Sequence, residues 1–190
     1  MGRVWTIGHS TRPFEEFLRA LAAHGIERLV DVRSFPGSRR YPHFNREELA
    51  RTLPAAGIEY VRMGDSLGGR RRKTREGGPH SALRNASFKN YADHMDSAAF
   101  RAGVERLLAL AAEKRTAYMC SEALWWRCHR GMISDFLLSR GHEVLHIMGE
   151  TRLEPHRLHS AARLGPDGPV YDVVARPLRA RDTRRKAPRL

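Results

Sequence analysis

The chain has 190 residues, of which 41% are hydrophobic, and its formal net charge at pH 7 is +13. This length suits one domain with its own hydrophobic core, and no run of about 18 apolar residues predicts a membrane span. An apolar strand at the start leaves no room for a signal peptide, and the two cysteines suit a reducing compartment, so we expect a cytoplasmic protein without a membrane partner.

The positive charge is concentrated in two segments. Residues 70–75 carry five positive charges and residues 176–189 a net six, which leaves +2 for the rest of the chain. Such segments can bind phosphate backbones through counterion release, or can simply be solvated appendages. We expect residues 1–175 to form one domain and residues 176–190 a basic, mobile tail.

Strands and helices alternate along the first 150 residues. Hydrophobic patterns predict five strands, over residues 4–7, 26–32, 58–63, 116–119 and 142–147. Helices are predicted after Pro13 and Asn45, over residues 88–95 and 97–114, and from Met132 to Gly141. Asn45 and Glu48 are spaced as a helix-capping pair, and Pro54 predicts that this helix is only two turns long.

This alternation predicts a single α/β domain with a mostly parallel five-stranded sheet and helices on both faces. Residues 169–175 predict an additional edge strand near the C-terminus. Polar residues follow four of the strands, over residues 8–10, 31–38, 65–69 and 120–130. Because the carboxyl ends of parallel strands meet at one edge, we expect these residues to form a shared site.

Cys120 lies at the end of a strand, shortly before a helix, where a thiol can become a nucleophile. Arg127, Arg130 and the helix end predict a lowered pKa for this thiol, opposed by Glu122. Burial as a small hydrophobic side chain is the alternative for Cys120 and is favoured for Cys128. Cysteines eight residues apart are a weak zinc signal, even with His129 beside Cys128, so neither a metal nor a cofactor is predicted.

The remaining candidates divide into proton-transfer and substrate-binding groups. Glu122, Asp31 and His9 are candidates for proton transfer, although either acid can instead pair with Arg33 or Arg130. Arg33 and Arg130 are predicted to hold an anion together. The other substrate-binding candidates are Ser10, Ser38, Gly68, Gly69, Cys128 and His129.

A set of residues spread over roughly residues 4–150 matches the pattern of one protein family. The matching residues are 6–10, 31–33, Pro36, Ser38, 67–69, Phe88, Tyr91, Met95, Phe100, Cys120, Glu122, 128–130 and 146–147. On these residues the chain resembles an uncharacterised bacterial family, DUF488, a domain of unknown function, although Ser121 stands where the family usually has alanine. The resemblance implies a small cytoplasmic α/β domain with a shared polar site and no established activity.

Together, these features predict an enzyme that acts on an anionic, phosphate-bearing substrate, such as a nucleotide or nucleic acid, at the carboxyl edge of the sheet. A non-catalytic module that binds nucleotides or nucleic acid with the same arginines and the basic segments is the alternative. A third interpretation is a structural protein whose polar edge contacts a partner.

Overall fold

A six-stranded sheet organises the protein in the computed structural model, which describes residues 2–174. The strands are β1 (Arg3–Gly8), β2 (Arg28–Asp31), β3 (Glu59–Arg62), β4 (Thr116–Cys120), β5 (Glu143–Ile147) and β6 (Leu153–Pro155). Their order is β3-β2-β4-β1-β5-β6, and all neighbours are parallel except β5 and β6. The predicted α/β class with a mostly parallel sheet is therefore confirmed, whereas the basic tail lies outside the described residues.

The sheet does have an additional edge strand, but another segment forms it. Leu153–Pro155 pairs antiparallel with β5 as β6. The region predicted for this role instead contains β8 (Gly168–Val170), which pairs with β7 (Arg163–Gly165) in a separate hairpin. Tyr171, directly after β8, is fully buried and so anchors the hairpin to the body of the domain.

Helices cover both faces of the sheet. One face packs against α1 (Phe14–Ala23) and α2 (Arg46–Ala55), and its core includes Ile7, Leu29 and Met119. The other face, whose core includes Val30 and Tyr118, packs against the remaining helices. These are α3 (Gly64–Leu67), α4 (Ala86–Met95), α5 (Ala98–Glu113) and α6 (His129–Ser139). Alternate strand residues thus face opposite cores, as the pleat requires.

Two local predictions for α2 are wrong. Asn45 does precede the helix, but its side chain makes no capping hydrogen bond and instead accepts one from the Ser38 backbone N–H at 2.5 Å. The helix also spans 10 residues and contains Pro54 in its last turn. Only Ala55 follows Pro54 within the helix, so the helix does end at the proline as expected, but it is nearly three turns long rather than two.

The carboxyl ends of β1 and β4 lie side by side, with Gly8 paired to Cys120. The pairing continues past both strands, because the backbone N–H groups of His9 and Ser10 donate to Cys120 and Ser121. A Cβ atom on Gly8 would lie 1.9 Å from the Glu122 carbonyl oxygen, so only glycine permits this approach. Within residues 2–174, no helix is both long enough and apolar enough to cross a membrane.

Candidate functional site

A cleft of about 660 Å³ lies at the carboxyl edge of the sheet. It collects residues from the loops after β1, β2, β3 and β4, which confirms that the four polar segments converge. The predicted site residues that line it are His9, Ser10, Arg33, Ser38, Gly69, Cys120, Glu122, Cys128 and His129. Asp31, Gly68 and Arg130 are absent from its lining.

Two sulfur atoms and one imidazole nitrogen meet at the base of this cleft. His129 Nδ1 lies 3.8 Å from Cys120 Sγ and 3.5 Å from Cys128 Sγ. The other ring nitrogen, Nε2, donates a hydrogen bond to the Val32 carbonyl oxygen at 3.0 Å, which fixes the orientation of the ring. Cys128 is the N-cap of α6, and its sulfur accepts a hydrogen bond from the Arg130 backbone N–H.

The two thiols differ in acidity. A hydrogen bond from Cys128 lowers the pKa of Cys120 well below its ordinary value, against the effect of burial, and His129 adds to the lowering. Burial, followed by the interaction with Cys120, raises the pKa of Cys128 well above its ordinary value. The direction for Cys120 is the expected one, but its main cause is the neighbouring thiol rather than the arginines.

Arg33 is held rigidly from three sides. Its guanidinium forms a two-pronged ion pair with Asp31, through Nε at 2.8 Å and Nη2 at 2.6 Å, and Nη2 also donates to the Phe44 carbonyl. Nη1 lies 3.2 Å from His9 Nε2. Asp31 is fully buried and also accepts a hydrogen bond from Tyr60, so it is a partner of Arg33 and does not reach the cleft.

His9 is neutral at physiological pH. Burial, followed by the Arg33 charge, lowers the pKa of His9 to about 4. Its Nδ1 donates to the Ser10 carbonyl, so Nε2 is the acceptor for Arg33, and the ring stacks on Phe44 with 4.1 Å between centroids. These contacts give His9 a positioning role toward Arg33, while proton transfer by His9 stays a prediction.

The structure corrects the prediction that Arg130 holds an anion. This side chain is 1% exposed, and its guanidinium donates to Thr6 Oγ1 and to the carbonyl oxygens of Glu122 and Ala123. Arg130 therefore fastens the loop after β4 to β1. Its partners within residues 2–174 are uncharged oxygens, and a joint anion clamp with Arg33 is not formed.

The glycines and serines of the site shape its walls. A Cβ atom on Gly69 would lie 2.5 Å from His129 Nδ1, and one on Gly68 would lie 2.4 Å from Ser34 Oγ. Gly68 thus serves packing rather than the cleft surface. Ser10 has a φ of 48°, a backbone conformation that costs a non-glycine residue energy and is frequent at functional sites. Ser38 Oγ accepts a hydrogen bond from the Tyr41 backbone N–H.

Sequence reasoning overlooked two features of the site. Arg40 and Arg70 line the cleft together with Arg127, which had been considered only for its influence on Cys120. Both overlooked arginines lie in the loops that follow β2 and β3, so their position after strands was the available signal.

The second overlooked feature is a buried hydrogen-bonded chain behind the cleft. It runs from Thr6 to His146 at 3.2 Å, from His146 to His156 at 3.0 Å, and from His156 to Asp135 at 2.8 Å. Trp125, in the loop between the two cysteines, stacks on His146 with 4.3 Å between ring centroids. No sequence pattern links these residues, because they come from five separate segments of the chain.

The sequence profile of one protein family matches residues 13–137, about two thirds of the chain, and is described as Domain of unknown function DUF488. The matched region contains most of the cleft, including both cysteines, but not His9 or Ser10. Comparisons with curated proteins and with solved structures found no match.

Proposed function

The chain belongs to the DUF488 family, and from this premise we propose that it is an enzyme acting on an anionic, phosphate-bearing substrate in the cleft. One observation carries the proposal. The acidic Cys120 thiol opens into a cleft that also presents Arg33, Arg40, Arg70 and Arg127 but only one carboxylate, that of Glu122.

The charge of the cleft favours an anion. Asp31 neutralises the charge of Arg33. Within residues 2–174, Arg40, Arg70 and Arg127 line the cleft and form no ion pair with a carboxylate. Guanidinium groups hold phosphate oxygens through paired hydrogen bonds. Arg33 is oriented before any ligand arrives, so it loses little side-chain freedom on binding.

The reacting end of the cleft is the group formed by Cys120, Cys128 and His129. A thiolate at this position lines the cleft beside the arginines, and it can act as a nucleophile or as a metal ligand. Glu122, on the same rim, is the proton-transfer candidate. Both routes require Cys120, so replacing it tests the enzyme proposal without choosing between them.

Binding of inorganic phosphate, followed by calorimetry, tests the anion site. We expect the triple variant Arg40→Gln, Arg70→Gln, Arg127→Gln to bind phosphate at least about tenfold more weakly, a loss of about 1.4 kcal/mol. Arg19→Gln is a control for the loss of an arginine outside the cleft, since Arg19 lies on α1 and pairs with Glu150 in the loop after β5. Equal phosphate affinity in the triple variant and the wild type would refute the anion site.

Catalysis is tested separately, by phosphate release from a panel of nucleotides and simple phosphate esters. We expect any activity found with the wild type to disappear in Cys120→Ser, while the variant retains phosphate binding. Activity that survives in Cys120→Ser would remove this residue from the reaction.

One observation favours a second candidate, a module that binds single-stranded nucleic acid. Phe35 at the cleft is 72% exposed, and the Arg70 guanidinium lies 5.5 Å from its ring centroid. An exposed ring beside an arginine suits base stacking. Fluorescence anisotropy with a short oligonucleotide separates the candidates: tight, salt-dependent binding that Phe35→Ala weakens, without any turnover, would favour the module.

The basic run is less available for such binding than its composition suggests. Arg75 pairs with Asp93 and Asp96, and Lys73 pairs with Glu76. We still expect nucleic-acid affinity to depend mainly on residues 70–75 and 176–189, and deletion of both segments to flatten its salt dependence.

A further inference from the structure

The three ligand-type atoms at the base of the cleft are arranged as a metal site. Cys120 Sγ, Cys128 Sγ and His129 Nδ1 all lie within 4.8 Å of one another. Each residue is buried or nearly so, and each also lines the cleft. We propose that these three residues bind a zinc ion, with the fourth coordination position open to the cleft.

The spacing fits tetrahedral zinc. Zinc–sulfur bonds of about 2.3 Å and zinc–nitrogen bonds of about 2.05 Å at tetrahedral angles place sulfur and nitrogen about 3.6 Å apart. The corresponding distances from His129 Nδ1 are 3.5 Å to Cys128 and 3.8 Å to Cys120. Both sulfur–nitrogen distances therefore match to within a few tenths of an ångström. Tetrahedral zinc places the two sulfurs about 3.8 Å apart, and they lie within 4.8 Å of each other, so the site needs a side-chain adjustment of at most about 1 Å.

The groups around the ligands support the same assignment. A zinc-bound histidine generally donates its second N–H to a carbonyl or carboxylate, and the Nε2 of His129 makes this bond to Val32 at 3.0 Å. This contact directs Nδ1 toward the two sulfurs. Cys128 caps α6, where the backbone N–H of Arg130 and the helix dipole partly offset the burial that disfavours a negatively charged sulfur.

The open position distinguishes this site from a structural zinc site. Structural sites have four protein ligands, whereas catalytic sites use three and leave the fourth for water or substrate. Two thiolates and one imidazole form such a three-ligand set. The fourth position faces the arginine-lined cleft, so an oxygen of a bound anion can reach the metal. Metal binding does not depend on the proposed function, but its use in catalysis does.

A second group of ligand-type side chains, His80, Asp93 and Asp96, does not support a comparable proposal. Arg75 bonds both carboxylates, Asp93 through Nε at 2.7 Å and Asp96 through Nη2 at 2.7 Å. The guanidinium already supplies the positive charge that a metal would bring.

Metal content and cobalt substitution test the zinc site on the full chain. We expect purified protein, or protein stripped with a chelator and reloaded, to hold about one zinc per chain. Cobalt in its place should give a thiolate-to-cobalt charge-transfer band and the intense visible absorption of tetrahedral Co²⁺. Cys120→Ser, Cys128→Ser and His129→Ala should each bind zinc at least about 100-fold more weakly.

His142→Gln is the matched control, because His142 precedes β5 at the opposite edge of the sheet and should leave zinc affinity unchanged. Circular dichroism of each metal-free variant separates loss of a ligand from loss of the fold. If a variant does not fold, the alkylation rates of the wild type with and without zinc are compared instead. Bound zinc should protect both cysteines from alkylation.

Folded wild type that takes up no zinc, or a folded Cys128→Ser variant that binds zinc as tightly as the wild type, would overturn the proposal. Phosphate titration of the chelator-stripped protein separates this failure from that of the proposed function. Phosphate binding without zinc binding would refute only the metal site. Zinc binding without phosphate binding would refute only the anion site.

Discussion

Replacing Asp31 with asparagine should destabilise the protein strongly, because it leaves a buried guanidinium without its counter-charge. The Asp31 side chain is fully buried and that of Arg33 is 8% exposed. The carboxylate accepts hydrogen bonds from the Arg33 backbone N–H, Nε and Nη2 and from Tyr60. In Asp31→Asn, an NH₂ group would face Nη2 and the Tyr60 hydroxyl, so donors would face donors.

Removal of one partner from a buried ion pair costs about 3–5 kcal/mol. With a urea dependence of about 2 kcal/mol per molar, a loss of 4 kcal/mol moves the unfolding midpoint by about 2 M. Glu48→Gln is the matched control, since it also turns an acid into an amide beside an arginine. Its partner Arg51 is 72% exposed, so we expect a loss below about 1 kcal/mol.

Urea unfolding at pH 7, followed by circular dichroism, measures both variants against the wild type. The double variant Asp31→Asn, Arg33→Gln should lose less stability than Asp31→Asn alone, because it buries no unpaired charge. A loss below about 1 kcal/mol for Asp31→Asn would refute the reasoning, since it would mean that Arg33 reaches solvent or another anion.

Three further predictions concern the site. In metal-free protein, the alkylation rate of Cys120 should show an inflection below about pH 8.5. Cys128→Ala, which removes the hydrogen-bond donor, should raise the pKa of Cys120, and an unchanged inflection would remove Cys128 as the cause. His9 has a pKa of about 4 in the folded protein and about 6.5 in the unfolded chain, so the unfolded chain binds the proton first as pH falls. The wild type should therefore lose about 2 kcal/mol more stability between pH 7 and pH 5 than His9→Asn does, as measured by urea unfolding. An equal loss in both proteins would contradict this. Gly69→Ala should displace the His129 ring and raise the Cys120 pKa. Gly37→Ala, where a Cβ atom meets nothing within 4 Å, should leave the Cys120 pKa unchanged. If the alkylation profile of Gly69→Ala matched that of the wild type, the ring would tolerate the methyl group.

The strands and the shared edge could be predicted because they depend on local patterns. Apolar runs placed the strands that became β1 to β5, and parallel pairing then required that their polar C-terminal loops meet. The two cysteines were found for the same reason, since Cys120 ends β4 and Cys128 directly precedes α6. Their distance from His129 Nδ1 depends on how a loop folds, which spacing alone does not determine.

The errors arose where a side chain had more than one partner available. Arg130 was predicted to hold an anion because it lies near the start of a helix, yet Thr6 on β1 and two carbonyl oxygens of the loop after β4 accept its hydrogen bonds. Asn45 lies at the cap position, but its side-chain oxygen accepts a hydrogen bond from the Ser38 backbone N–H instead of capping the helix. Such choices between near-equal partners depend on tertiary contacts.

The position of β1 in the sheet has a consequence for protein synthesis. Trp5 pairs with Ala117 on one side and with Leu145 on the other, so β1 leaves the ribosome long before either of its neighbours. Before β4 has been synthesised, β2 and β3 are the strands of the sheet that can pair with each other. Because β4 supplies Cys120 and borders both β1 and β2, the cleft forms only after most of the chain has emerged. In a nascent chain that has not yet folded around β4, Cys120 therefore lacks the contacts with Cys128 and His129 that lower its pKa.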